Sequence, residues 1–158
     1  MKKTLTLLTV MSSIAATPAL AVEAGVPFNG EVRATCTIDV TDSGSMASIN
    51  NATVLSSKSG SAGLATITTT GHNFEASVAN PPDANFVQTI GTGYNAGDAT
   101  LVADMTVLDG ASSGNYAATS TATLGAGDTN VAVDLVATMS SGSFPNGDYV
   151  GTVVLTCE

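Results

Sequence analysis

The chain has little of what catalytic sites are built from: no tryptophan, one histidine, two cysteines, and four Lys and Arg residues against 13 acids. With His72 as the one imidazole, the parts of a Ser-His-Asp triad, a Cys-His pair or a multi-histidine zinc site are missing. The acidic residues do not follow the spacing of a calcium-binding loop. They are scattered along the chain, and turn positions are expected for most of Asp98, Asp104, Asp109, Asp128 and Asp148. The composition therefore predicts a protein that is not an enzyme and uses no cofactor and no metal.

The first 21 residues have the three parts of a secretory signal peptide: two lysines, an apolar run over residues 5–16, and an A-x-A cleavage site that ends at Ala21. Cleavage leaves 137 residues, in which Arg33 and Lys58 stand against all 13 acids, a formal charge of −11. Such a chain is repelled by nucleic-acid phosphates and by anionic lipid, and no later segment reaches the roughly 18 apolar residues of a membrane span. We expect an exported protein with no nucleic-acid partner and no membrane span.

Apolar and polar side chains alternate from the first residue after the signal peptide, with an apolar residue or glycine at every even position from Val22 to Val40. A period of two is that of a β-strand, but one strand rarely exceeds about ten residues. We therefore expect two strand-like pieces with a hinge near Asn29 and Gly30. Pro27 has no amide hydrogen to donate, which favours an edge strand or a mobile arm for the first piece.

Similar alternations recur along the rest of the chain, and glycine-rich or Asp-Gly turns separate them. No segment keeps a helical period for three turns. Seven to nine short strands with a turn about every ten residues predict an all-β sandwich. The strand candidates are residues 65–69, 74–78, 86–90, 99–107, 116–124, 131–139 and 149–157.

The two cysteines lie near opposite ends of the predicted domain, Cys36 on the first strand and Cys157 next to the last residue. In an exported protein, two cysteines usually oxidise to each other, which predicts a Cys36–Cys157 disulfide and places the first and last strands side by side. Pairing with a second molecule, or a reactive thiol, is the alternative.

Two segments resemble the chaperone–usher pilins of the type 1 fimbrial kind. Residues 26–38, VPFNGEVRATCTI, resemble the start of those subunits, where an alternating arm and an F-x-G-x-V motif precede a cysteine that is followed by x-I/V. Residues 145–156, PNGDYVGTVVLT, are similar to their closing strand, in which a turn with G-x-Y leads into alternating apolar residues. Together the two segments cover about 25 residues.

This resemblance implies an immunoglobulin-like β-sandwich, residues 31–158, that lacks its final strand and exposes an apolar groove. A periplasmic chaperone lends a strand to that groove, and at the outer-membrane usher the N-terminal arm of the next subunit, residues 22–30, replaces it. By position, Val22, Ala24, Val26 and Phe28 would fill the groove, and Gly30 would allow close approach. The resemblance therefore implies a structural subunit of a pilus or fimbria, which passes through the periplasm to the cell surface and has related pilin subunits as partners.

The cysteine pattern departs from that family. Its members usually pair the first cysteine with one near the second strand, whereas the remaining cysteine of this chain is Cys157. A bond from the first strand to the last would narrow or close the groove. The alternative interpretation is a self-contained secreted or periplasmic β-sandwich, either a ligand- or carbohydrate-binding module or a coat protein.

Overall fold

The computed structural model describes Gly25, residues 27–31 and residues 33–158. The described residues before position 33 belong to one unit, and residues 33–158 form another. Within the first unit the described residues adopt no helix or strand, and the Phe28 side chain is 92% exposed. The predicted signal peptide, residues 1–21, and the arm positions Val22, Ala24 and Val26 lie outside the described residues.

The second unit is an all-β sandwich of antiparallel strands, which confirms the fold class that the alternating sequence predicts. Its one helical element is a single 3₁₀ turn at Asp83–Asn85. Among the described residues, no helix has the length and apolar character that crossing a membrane requires. The strands are β1 (Cys36–Asp42), β2 (Ser45–Ile49), β3 (Val54–Ser61), β4 (Gly63–Thr69), β5 (Phe74–Val78), β6 (Phe86–Gly91), β7 (Ala99–Val107), β8 (Gly114–Ala117), β9 (Thr121–Leu124), β10 (Gly127–Met139), β11 (Gly147–Gly151) and β12 (Leu155–Cys157).

Strand β10 organises the larger sheet. It pairs with β4 and then β3 along one edge and with β7 along the other. Beyond these strands, β1 pairs with β4, β2 with β3, and β8 with β7. Two smaller sheets, β12-β5-β9 and β11-β6, complete the fold. The C-terminal segment thus runs along β6 through β11 and then along β5 through β12.

Alternation places one face of each central strand in the core, as the sequence predicts. All five inward residues of β7, from Ala99 to Val107, are at most 6% exposed. They contribute to two buried clusters, one centred on Ile67 and Met105 and the other on Phe86. Because alternating aliphatic residues from the sheets fill the interior, burial of apolar surface stabilises the sandwich.

Four parts of the predicted strand pattern are wrong. Residues 149–157 form two strands, β11 and β12, which belong to different sheets. Residues 116–124 form two strands in different sheets, because the chain turns at Thr119, whose φ is 71°. The Ser-rich strands β2 and β3 were not predicted, since they lack apolar alternation. Asp104, Asp128 and Asp148, expected at turns, lie on the strands β7, β10 and β11 instead.

Candidate functional site

Two strand edges lie on either side of a gap in the sandwich. Strand β1 has a ladder partner, β4, on one side, and among the described residues no strand pairs with its other edge. The C-terminal segment is paired in the same one-sided way, through β11 with β6 and through β12 with β5. Thr152, between β11 and β12, donates its backbone N–H to the carbonyl oxygen of Asn85 at 2.9 Å and keeps the segment on that side. Both unpaired edges are therefore available to a further strand.

The predicted disulfide between Cys36 and Cys157 is present and joins the two edges at one end. It connects the first residue of β1 to the last residue of β12, with the two Cα atoms 6.4 Å apart. Because β1 runs away from this bond and β12 runs towards it, the two edges are antiparallel to each other. Of the two effects expected of this bond, a narrower groove or a closed one, closure does not occur, because the gap beyond the bond stays open.

Between the two edges lies a groove of about 950 Å³. Its walls are the chain from Val40 to Ser48 on one side and residues 147–155 on the other, and its floor comes from β3, β4 and β10. Apolar side chains dominate the walls and floor, namely those of Val40, Met46, Leu55, Leu64, Leu135 and Val153. An apolar groove with an unpaired strand edge on each side is the kind of site to which an extended strand can be added.

The side chains that point into the groove are less covered than their counterparts elsewhere in the sandwich. Val40, on the predicted core face of β1, is 72% exposed, and the preceding residue of that face, Ile38, is 37% exposed. On the opposite wall, Tyr149, Val153 and Leu155 are half-buried. The alternation therefore predicts which face is apolar, but nothing in the described part of the fold fully covers that face.

Gly151 lies at the middle of the C-terminal wall, where the backbone comes closest to the floor. A Cβ atom at this position would lie 2.4 Å from Cδ2 of Leu135 and 3.0 Å from Cδ2 of Phe86. The site accepts no side chain on that face because the core already occupies the space. The glycine thus lets the last strand pack flat against the core while it lines the groove.

An aromatic cluster closes the end of the core opposite the disulfide. Phe86, Tyr94, Phe144 and Tyr149 contact one another with ring centroids 5.3–6.0 Å apart. The Tyr149 hydroxyl donates a hydrogen bond of 2.7 Å to the carbonyl oxygen of Pro145, four residues earlier, an arrangement like the tyrosine corner of immunoglobulin-like sandwiches. Burial raises the pKa of Tyr149, which extends into alkaline pH the range over which its hydroxyl stays protonated and donates this bond.

Two carboxylates, Asp42 and Asp148, lie on the rim of the groove. The described residues that line the groove include no Lys, Arg or His. Because like charges repel, this rim disfavours an acidic ligand and is compatible with a neutral or basic one. Residues 22–30 of this chain carry a single charged side chain, that of Glu23.

Lys58 and His72 lie outside the groove. Lys58 forms an ion pair with Asp104, and this hydrogen bond raises the lysine pKa. His72 is exposed in the turn between β4 and β5, where the sequence places it. Across the described residues, no group of three or more His, Cys, Asp and Glu side chains is arranged to hold a metal ion.

Sequence analysis identified part of the groove. It selected the Cys36–Cys157 disulfide and the C-terminal strand, and it missed Met46 and Leu55 because they lie on Ser-rich strands. Phe28 and Gly30, which the resemblance implies as donor-strand residues, lie in the other unit, and a Cβ atom at Gly30 would meet no atom within 4 Å. A search of protein-family models, of curated proteins and of solved structures found no match to this chain.

Proposed function

We propose that this protein is a structural subunit of a bacterial surface fibre, a pilus or fimbria, assembled by exchange of donated β-strands. The observation that carries the proposal is the groove between β1 and residues 147–155, which has an unpaired backbone edge on each side and half-exposed apolar side chains such as Val153 along its walls. Uncovered edges of this kind invite strand pairing, and native proteins normally protect them. A fold that keeps such a gap open is suited to receive a strand from another molecule.

The occupant that we propose is the arm of a second copy, residues 22–30. Its even positions are apolar or glycine, as β-strand addition requires of the side chains that enter the groove. Phe28, the largest of them, is 92% exposed. A contact between the arm of one copy and the groove of the next joins two different parts of the chain, and such a head-to-tail contact produces an open fibre rather than a closed dimer.

The proposal implies partners that protect the groove before assembly. An exposed apolar groove promotes aggregation, so a periplasmic chaperone that lends a strand and an outer-membrane usher that exchanges it are part of the proposed pathway. It follows that the subunit passes through the periplasm and ends in the extracellular fibre. No catalytic role is proposed, because acids such as Asp104 and Asp134 are hydrogen-bonded to side chains of the sandwich itself.

Assembly of the purified mature chain tests the proposal. We expect Val26→Lys and Phe28→Lys to stop fibre formation, since a lysine at an inward arm position would place a charge in an apolar groove. The matched controls are Glu23→Lys and Asn29→Lys, at outward positions of the same arm, and both should still form fibres. Size-exclusion chromatography over a range of concentrations and negative-stain electron microscopy report the outcome.

Two results would contradict the proposal. Fibres from the inward lysine variants that equal those of the controls would show that the arm does not fill the groove. A wild-type chain that remains monomeric at every concentration, with and without a strand-donating chaperone, would favour the self-contained sandwich.

A further inference from the structure

The disulfide lies at a position that limits what can enter the groove. The groove wall on the first strand begins at Val40, four residues after Cys36, and the wall on the last strand ends at Leu155, two residues before Cys157. At the bond, the two backbones are held with their Cα atoms 6.4 Å apart.

That separation is too small for a strand to pass. A strand hydrogen-bonded on both sides needs flanking strands about 9.5 Å apart, twice the spacing of about 4.8 Å between neighbours in a sheet. The covalent bond prevents the edges from separating to that distance at Cys36 and Cys157. A strand that runs along the groove must therefore end before the disulfide.

We propose that the Cys36–Cys157 disulfide is an end-stop, a point beyond which a strand in the groove cannot extend. The groove is then specific for a strand that has its chain terminus at the bond and pairs along nine residues. The length follows from the wall, since Gly147 to Leu155 is nine residues. This inference rests on the proposed function, because it specifies which strand that same groove accepts.

The arm of a second copy meets this requirement after signal cleavage. Cleavage after Ala21 creates a chain terminus at Val22, and residues 22–30 number nine. Because the other end of the arm continues into a folded domain, it has to leave by the open end of the groove, and Val22 comes to lie near Leu155. The arm then runs antiparallel to residues 147–155, with Gly30 near Gly147.

This alignment brings the large donor side chain to the aromatic end of the groove. With Val22 at Leu155, the antiparallel register places Phe28, the seventh residue of the arm, beside Tyr149 and next to the aromatic cluster, and it places Val26 beside Gly151. Aromatic pairs stabilise such contacts beyond the area that they bury. Because Gly151 has no side chain, only its backbone faces Val26 at this point of the wall.

Peptide binding tests the end-stop. The acceptor is the mature chain with Phe28→Lys, which disables its own arm, and the ligands are synthetic peptides labelled with fluorescein at the C-terminal end. Fluorescence anisotropy compares residues 22–33, the N-terminally extended 19–33, and the shortened 24–33. We expect the extension to give no gain in affinity and the truncation to weaken binding by roughly tenfold, the loss of one buried aliphatic contact.

The possible outcomes separate the two proposals. If residues 22–33 do not bind at all, the proposed function fails. If they bind but residues 19–33 bind roughly tenfold more tightly, the groove is open at both ends and the end-stop alone is wrong.

Photo-crosslinking reports the direction of the bound peptide while the disulfide stays intact. A photoreactive group at position 22 of the peptide should label acceptor residues near Leu155, and one at position 30 should label residues near Gly147. The reverse pattern would overturn the end-stop. In a Cys36→Ser, Cys157→Ser acceptor that still folds, the extended peptide should gain affinity over residues 22–33.

Discussion

The hydroxyl of Ser57 takes the place of a backbone carbonyl as the hydrogen-bond acceptor for the backbone N–H of Leu135. This hydroxyl accepts the backbone N–H of Leu135 at 2.9 Å and donates to Oδ1 of Asp134 at 2.6 Å. This happens where β10 changes its partner from β4 to β3, so the ladder is interrupted between Val133 and Val136. A buried serine thereby holds the floor of the groove together at the point where the sheet is irregular.

Ser57→Ala should lower the free energy of unfolding by about 1–3 kcal/mol, because the buried N–H of Leu135 loses its acceptor. Ser59→Ala, at an exposed position of the same strand, is the matched control and should change it by less than about 0.5 kcal/mol. Urea denaturation measures both. Equal stability of the two variants would mean that the hydroxyl does not satisfy the backbone.

Gly151→Ala should destabilise the fold by about 1–3 kcal/mol through overpacking, since the new methyl group would overlap Leu135 and Phe86. Gly125→Ala is the control, because a Cβ atom there would meet nothing within 4 Å. Thermal melts followed by circular dichroism compare the two. A Gly125 variant that is destabilised as much as the Gly151 variant would refute the packing explanation.

Removal of the Tyr94 hydroxyl and removal of the Tyr149 hydroxyl should affect the stability of the fold differently. The Tyr94 hydroxyl is buried and, among the described residues, has no hydrogen-bond partner, whereas that of Tyr149 donates to Pro145. Tyr94→Phe should therefore leave stability unchanged or raise it, and Tyr149→Phe should lower it by about 1 kcal/mol. Urea denaturation at neutral pH tests the difference, and a destabilised Tyr94→Phe variant would contradict it.

The same tyrosines predict loss of stability at alkaline pH. Burial raises the pKa of both, and for Tyr94 the nearby Asp83 and Asp98 add to the effect. The unfolded chain therefore loses these protons near its ordinary pKa of about 10, while the folded chain still holds them. Stability should fall as the pH rises above about 10, and less steeply in a Tyr94→Phe, Tyr149→Phe chain. Identical slopes would be inconsistent with this origin.

Val40→Lys should prevent a donated strand from binding while it leaves the fold intact, since Val40 is 72% exposed on the groove wall. Val102→Lys is the matched control, because Val102 is a partly exposed valine on β7, outside the groove. Peptide binding and thermal melts of both variants give the comparison. If Val40→Lys binds residues 22–33 as tightly as Val102→Lys does, the wall does not contact the strand.

The sequence predicts the strands in which apolar and polar side chains alternate. It does not predict the strands that polar side chains stabilise through hydrogen bonds. Strands β7 and β10 are predictable because each apolar face is continuous from Ala99 to Val107 and from Val131 to Met139. Strand β3 is not, because Ser57 is buried for its hydroxyl rather than for apolar surface. The alternation also cannot reveal the turn at Thr119, because apolar residues occupy even-numbered positions on both sides of it.

The groove could be predicted only in part for a different reason. The even-numbered positions identify the apolar face of β1. Whether that face is covered depends on which strand lies across from it, and that is a tertiary property. Val40 and Ile67 both belong to apolar faces in the sequence, yet one is 72% exposed and the other is fully buried. The disulfide was predictable because two cysteines allow a single intrachain pairing.

The most direct test of the account is photo-crosslinking within assembled fibres. The mature chain is prepared with p-benzoylphenylalanine in place of Phe28, isotope-labelled and unlabelled subunits are mixed and assembled, and mass spectrometry identifies the crosslinked residues after irradiation. The account predicts crosslinks between differently labelled subunits, from position 28 to groove residues such as Tyr149 and Leu135. Crosslinks confined to single subunits, or directed to the outer face around Asp104, would contradict it.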